Sequence, residues 1–193
     1  MPEVNPTHFE NIPAFSEQKD DGERLVNAII ETPRDTSVKY AFEPKYGVFK
    51  LKQVLAEGLQ WPYDYGFIPQ TLADDGDPLD VLILSDNPTF TGCMLECRIL
   101  GVVRLMKNGI ENDRVIAAPR RCPGVSQICD SYNDVDDMPK DLLTGICRFL
   151  VEYSEEQGNK LEFKGVKSKK KAFTAIDDAM SQYRKKHSKR GAA

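Results

Sequence analysis

The stretch WPYDYGFIPQTLADDGDPLDVLIL, residues 61–84, decides how the chain is read. In its first half Trp61, Tyr63, Tyr65 and Phe67 recur at every second position, and period two puts such residues on one face of an extended segment. Its second half ends in Val81-Leu82-Ile83-Leu84, a short apolar strand leaving an acidic turn. Upstream, the aliphatic run Leu25–Ile30, stopped by Thr32-Pro33, predicts a buried strand. Val38–Phe42 and Val48–Leu55, separated by Pro44 and Gly47, predict a hairpin. Downstream, Cys93–Met106 is a long β-prone stretch broken by Gly101; Asn108-Gly109 is a hairpin turn, and Val115–Ala118 is its return strand. Many short strands with frequent turns imply a small barrel or a strongly twisted sheet.

Helices come late. After Asp136-Asp137 and Pro139, residues Leu142, Leu143, Ile146, Phe149, Leu150 and Tyr153 keep helical spacing. Leu161–Phe163 reads as a last strand, and Ala172, Phe173, Ile176, Ala179, Met180 and Tyr183 mark a second amphipathic helix. The fold class is therefore α+β, mainly β. One domain is expected over residues 24–186, with a polar arm over 1–23 and a basic, disordered tail over 187–193.

Composition narrows the chemistry. The chain has 193 residues, enough for a core without a disulfide or zinc staple. Its formal net charge of −4 argues against nucleic-acid or membrane binding by the whole domain, and no apolar run approaches the length of a membrane-spanning helix. Residues 1–23 lack the apolar stretch of a signal peptide. Together with an odd set of five cysteines (Cys93, Cys97, Cys122, Cys129, Cys147), this implies reduced thiols in a cytoplasmic protein. Two histidines, His8 and His187, both lie in the polar ends. That disfavours a Ser-His-Asp triad and His-based zinc chemistry, so any catalysis falls to carboxylates, Lys, Arg, Tyr and hard cations.

The acidic turn Asp74-Asp75-Gly76-Asp77-Pro78-Leu79-Asp80 packs four carboxylates into seven positions. Two carboxylates about 5 Å apart repel by roughly 3 kcal/mol at an effective dielectric near 20. An all-oxygen cluster selects hard cations such as Mg²⁺, Mn²⁺ or Ca²⁺. On its own the turn reads equally as a solvated acidic loop. Chemistry on phosphate also needs basic and hydroxyl partners, and Glu31, Lys39, Tyr65, Arg114 and Tyr153 are candidates. Each has a structural alternative in a core tyrosine, a surface lysine or a local ion pair.

These residues resemble the soluble family I inorganic pyrophosphatases over roughly residues 24–186. The signature D-G-D-P-x-D stands as Asp75-Gly76-Asp77-Pro78-Leu79-Asp80, preceded by the aromatic-Pro-x-x-Tyr-Gly-Phe-Ile element at residues 61–68. Glu31-Thr32-Pro33, Lys39-Tyr40, the VIAAP strand and the helix ending near Tyr153 also match. The resemblance implies a five-stranded OB-like closed barrel flanked by helices, Mg²⁺-dependent hydrolysis of pyrophosphate to two phosphates (Mn²⁺ being an alternative ion) and a homo-oligomer, commonly a hexamer. It implies that Asp75 and Asp80 are metal ligands, Asp77 is the general base, and Glu31 is an outer carboxylate for the metals. Tyr65, Lys39, Tyr153 and Arg114 would contact phosphate, with Tyr65 and Lys39 in the catalytic group.

The chain also departs from the family pattern. Ala41 stands for a glutamate, with Glu43 on the same strand face as a partial substitute. Gln53 stands for an arginine, and its replacement as a substrate contact by Lys52 requires a bulge or a shifted register. Lys107 and Asn112 stand for two aspartates, leaving Asp113, one residue out of register, as the substitute metal ligand. Ser154 stands for a lysine, with Lys160 some way along. Fewer acids and more lysines imply fewer bound metals. Two other readings compete with the enzyme: a catalytically weakened phosphate-binding protein, and an OB-type nucleic-acid binder using the basic segment 164–190.

Overall fold

The computed structural model describes residues 9–120 and 131–188. Its strands are β1 (Phe15–Asp20), β2 (Glu23–Thr32), β3 (Val38–Glu43), β4 (Val48–Val54), β5 (Asp64–Phe67), β6 (Asp80–Ile83), β7 (Met94–Lys107), β8 (Ile110–Glu111), β9 (Arg114–Pro119) and β10 (Leu161–Ser168). The helices are α1 (Lys140–Glu156) and α2 (Lys169–Ser188). Strands β2, β5, β6, β9 and β7 hydrogen-bond in that order, and β7 pairs back onto β2, so five strands close a ring. The expected closed five-stranded architecture with two flanking helices is thus present. Within the ring β6 and β9 run parallel, and the other neighbours are antiparallel. The hairpin β3–β4 stands apart as its own two-stranded sheet.

Alternate residues of the ring strands enter two cores. Val81, Ile83, Val115 and Ala117 pack with Ala172, Ile176 and Ala179 of α2. Leu82, Leu84, Ile116 and Ala118 pack with Ile146, Phe149 and Leu150 of α1. Burial on both faces is why these strands read as unbroken apolar runs rather than as alternations. Strand β7 does not break at Gly101. It bends there through a register shift between Ile99 and Gly101, and a Cβ at Gly101 would lie 2.4 Å from Val135 Cγ1 and 2.6 Å from the Lys167 carbonyl.

The expectation of a loose arm over 1–23 fails at residues 15–20, which form β1 against β2. Asp21 and Gly22, both with positive φ, turn the chain so that Asp20 pairs with Glu23. Phe15 then stacks on Phe173 of α2, with the Arg24 guanidinium 3.5 Å over its ring. At the other end the expected tail loses His187 and Ser188 to α2, where His187 stacks on Tyr183. Residues 1–8 and 189–193, like Cys122 and Cys129, lie outside the described residues; Cys93, Cys97 and Cys147 are free thiols. No helix among the described residues is long and apolar enough to cross a membrane.

Gly66 fixes the β2–β5 contact. A Cβ there would sit 1.9 Å from the Ile29 carbonyl oxygen, in a backbone that cannot yield without separating the strands. Gly66→Ala is expected to cost about 3 kcal/mol or more of unfolding free energy in a urea titration.

Candidate active site

The two-stranded β3–β4 sheet, the acidic turn, the starts of β6 and β9, the end of β7 and the end of α1 enclose a cavity of about 690 Å³. Its wall carries Glu31, Lys39, Lys52, Tyr65, Asp75, Asp77, Asp80, Arg114 and Tyr153, together with Lys107, Asn112, Gln53 and Gln157. Apart from Asp113, every residue expected at the site therefore lines one space.

Each side chain arrives by local geometry. Tyr65 sits in β5 with its ring on Trp61, 4.7 Å between centroids, and Trp61 in turn packs on Tyr153. Trp61 and Tyr65, two of the period-two aromatics, thus buttress the cavity wall. Lys52 and Gln53 both reach the cavity because Lys39 pairs with Gln53 while Tyr40 pairs with Leu51, leaving Lys52 as an extra residue in the ladder. That irregularity is the bulge the Lys52 assignment requires. Ala41 lines the cavity but Glu43 does not, and Lys160 pairs with Glu162 instead of approaching the site.

The charges form a connected set. Arg114 Nη1 lies 2.7 Å from Asp80 Oδ2 and also donates to the Asn112 and Asp113 carbonyls, each at 3.0 Å. Its Nη2 donates to Asn112 Oδ1, while the Asn112 amide nitrogen donates to Asp75 Oδ2. Lys39 Nζ is 3.8 Å from Glu31 Oε2 and 3.7 Å from the Tyr65 ring centroid. Glu31 Oε1 accepts from the Phe42 N–H at 2.7 Å.

Burial raises the Glu31 pKa, against the pull of Lys39, and raises that of Asp77, with further push from the Asp75 and Asp80 carboxylates. Tyr65 is held protonated, well above the ordinary phenol range, chiefly by burial and also by its hydrogen bond with Asp80. Burial brings Lys39 down to about 8, although Glu31 and Asp80 oppose the shift.

Asp113 is a correction. Its Oδ1 accepts from the Leu105 N–H and its Oδ2 pairs with Arg104 Nε at 2.8 Å, so the carboxylate is turned away from the cavity. Asn112, its neighbour, takes the inward position. Among the described residues no three His, Cys, Asp or Glu side chains lie close enough together, as they stand, to hold a metal ion. By chemical type the Asp75, Asp77 and Asp80 donors nevertheless suit a hard divalent cation: all are carboxylates on one wall, and Asp77 is pushed up by burial and then by the neighbouring negative charge that such an ion would relieve.

A sequence profile of the inorganic pyrophosphatase family matches residues 28–184. The chain belongs to the inorganic pyrophosphatase family. The inorganic pyrophosphatase of Halalkalibacterium halodurans is 35% identical over 83% of this chain and 96% of its own length. That of Haloferax volcanii is 36% identical over 82% and 88%. The crystal structure of the Thermus thermophilus inorganic pyrophosphatase superposes with a TM-score of 0.79 at 28% identity, covering 91% of this chain and 98% of that one.

Within this inorganic pyrophosphatase scaffold, Lys107 and Gln157 also line the cavity, although the family motifs do not include them. Gln157 lies one helical turn beyond Tyr153, a spacing that the sequence does display.

Two outcomes follow from these contacts. Because Lys39 is depressed in the fold, between about pH 8 and its ordinary value near 10.5 the unfolded chain binds the extra proton, so this group makes stability rise with pH across that window. In EDTA, the difference in unfolding free energy between the parent and Lys39→Met is expected to shift in the parent's favour by on the order of 2 kcal/mol from pH 7.5 to 10, measured by thermal unfolding. Asn112→Asp replaces the amide donor to Asp75 with a second carboxylate. It should lose about 1–3 kcal/mol in EDTA and regain it in millimolar Mn²⁺, with a larger Mn²⁺-induced rise in Tm than the parent.

Proposed function

We infer that this chain is an inorganic diphosphatase that hydrolyses pyrophosphate to two phosphates. The observation that carries this reading is the convergence of Asp75, Asp77, Asp80, Lys39, Arg114, Tyr65 and Tyr153 on one cavity of about 690 Å³. Asp75 and Asp80, with Glu31 behind them, would hold Mg²⁺ or Mn²⁺. A bound divalent ion supplies charge neutralisation on phosphate oxygens and a lowered pKa for an attacking water.

The protein's own groups do the rest. Asp77 is the general base: burial and neighbouring carboxylates make it more basic than an ordinary aspartate, which suits it to take a proton from water. As water oxygen bonds to one phosphorus, the bridging P–O bond breaks and its electron pair leaves with the other phosphate. Lys39, Lys52 and Arg114 offset the charge that develops there. Tyr65 and Tyr153, both held protonated, donate hydrogen bonds to phosphate oxygens. The same reading includes a cytoplasmic setting and assembly of several copies, a hexamer by resemblance.

One observation favours a slower or non-catalytic relative. Asp75 and Asp80 are already engaged, by the Asn112 amide and the Arg114 guanidinium. Phosphate release from pyrophosphate, with Mg²⁺ against EDTA and with ATP as a control, separates the two. The enzyme reading expects Mg²⁺-dependent release that falls about 10²–10⁴-fold in Asp77→Asn. A folded parent releasing no phosphate with Mg²⁺ or Mn²⁺ transfers the assignment to phosphate binding.

A further inference from the structure

Lys39, Lys52, Lys107 and Arg114 are the cations on the cavity wall, facing Glu31, Asp75, Asp77 and Asp80. Two of the four are committed: Arg114 to Asp80, and Lys39 to Glu31 and the Tyr65 ring. Lys52 and Lys107 make no ion pair among the described residues, yet both act electrostatically on Asp77. Two ammonium groups are thus directed at the acidic turn without a private counter-ion.

Lys107 is held in place by its surroundings. It ends β7, paired with Leu161 of β10 and Ile110 of β8. The Asn108-Gly109 turn after it has positive φ at both residues and is fastened to the chain before β10. There the Asn108 N–H donates to the Lys160 carbonyl at 2.9 Å, the Asn108 Oδ1 accepts from the Lys160 N–H at 3.0 Å, and its Nδ2 donates to Asn159 Oδ1 at 2.9 Å. Strand parity puts Lys107 on the face of Val103 and Leu105, which lie in the core with Trp61 and Tyr65, so the lysine extends that face into the cavity. Lys52 comes from the separate β3–β4 sheet, at the bulged position.

We propose that Lys107 is a substrate-binding residue which, with Lys52, anchors the phosphate groups of a diphosphate, and that this anchorage works without a divalent cation. The proposal rests on the diphosphatase reading for its ligand class and extends it to a residue that the family resemblance does not supply. Ammonium groups donate up to three hydrogen bonds each, and charge-assisted bonds to phosphate oxygens are short and strong. Lys107, on a backbone held at both sides and with no ion pair of its own among the described residues, keeps more of its hydrogen-bonding capacity for such bonds than Arg114, which already meets Asp80 and Asn112.

The test is calorimetric titration with imidodiphosphate, a diphosphate whose bridging nitrogen resists hydrolysis, in EDTA. The parent is expected to bind, and Lys107→Met to bind at least about tenfold more weakly, as for a lost hydrogen bond to a charged group. Lys107→Arg should stay within about threefold of the parent, because the charge is kept. Lys171→Met, which removes a lysine from a separate surface groove, should match the parent. Lys107→Gln replaces Lys107→Met if the latter does not melt as a folded protein. Unchanged affinity in the neutral variant, or no binding by the parent until Mg²⁺ is added, overturns the proposal. Phosphate release by the parent is scored separately: release with unchanged affinity removes Lys107 and keeps the enzyme, while weakened binding without release keeps Lys107 and removes the enzyme.

Discussion

Parallel pairing of β6 with β9 sets Asp80 directly opposite Arg114, and the cavity grows from that point. Two parallel strands begin at the same end of a sheet, so whatever precedes one is brought beside whatever precedes the other. Before β6 lies the acidic turn, and before β9 lies Asn112-Asp113. An antiparallel pairing would have sent these segments to opposite ends of the ring and left three carboxylates facing water. The 2.7 Å ion pair across the first register position therefore belongs equally to ring closure and to the site.

A pair this deeply placed carries a desolvation cost that an apolar pair would avoid. Arg114 is only 12% exposed and Asp80 21%. The cost is offset by saturation: the guanidinium also meets two backbone carbonyls and the Asn112 side chain, and Asn112 passes the contact on to Asp75. Removing any one partner leaves a charge without its hydrogen bonds, so the cluster acts as a unit. Asp77 stands outside this network apart from its N–H to Asp75. It is the least compensated acid of the three, which is what a proton acceptor requires.

The parts of this arrangement that are legible in the sequence are those set by local rules. The Asn108-Gly109 hairpin, the aliphatic run of β2 and the helical spacing of α1 each follow from residues within one element. Asp21-Gly22 is an equally clear turn signal for β1, and it is easily passed over because the preceding residues alternate no apolar side chains: Phe15 is the sole anchor of that strand in the core. The Lys52 position depends on a bulge, which one residue more or less in β4 would create or abolish. Sequence can state that condition; only the register Lys39–Gln53 and Tyr40–Leu51 meets it.

The exchange of Asn112 for Asp113 shows where counting along a chain stops being informative. Adjacent residues before a strand face opposite ways, and a one-residue offset is a change of side rather than a small displacement. Arg104 settles which carboxylate is lost to the cavity. From β7 it takes Asp113 at 2.8 Å and Glu111 at 3.0 Å on the outer side, and the Leu105 N–H holds Asp113's other oxygen. With that acid turned outward, an amide occupies the inward place and Arg114 stands among the remaining carboxylates. A guanidinium cannot be exchanged, titrated away or washed out, so part of the positive charge at this site is permanent. The charges there that respond to pH are those of Asp77, Glu31 and Lys39, each shifted chiefly by burial, while Lys52 and Lys107 line the same wall with no ion pair among the described residues.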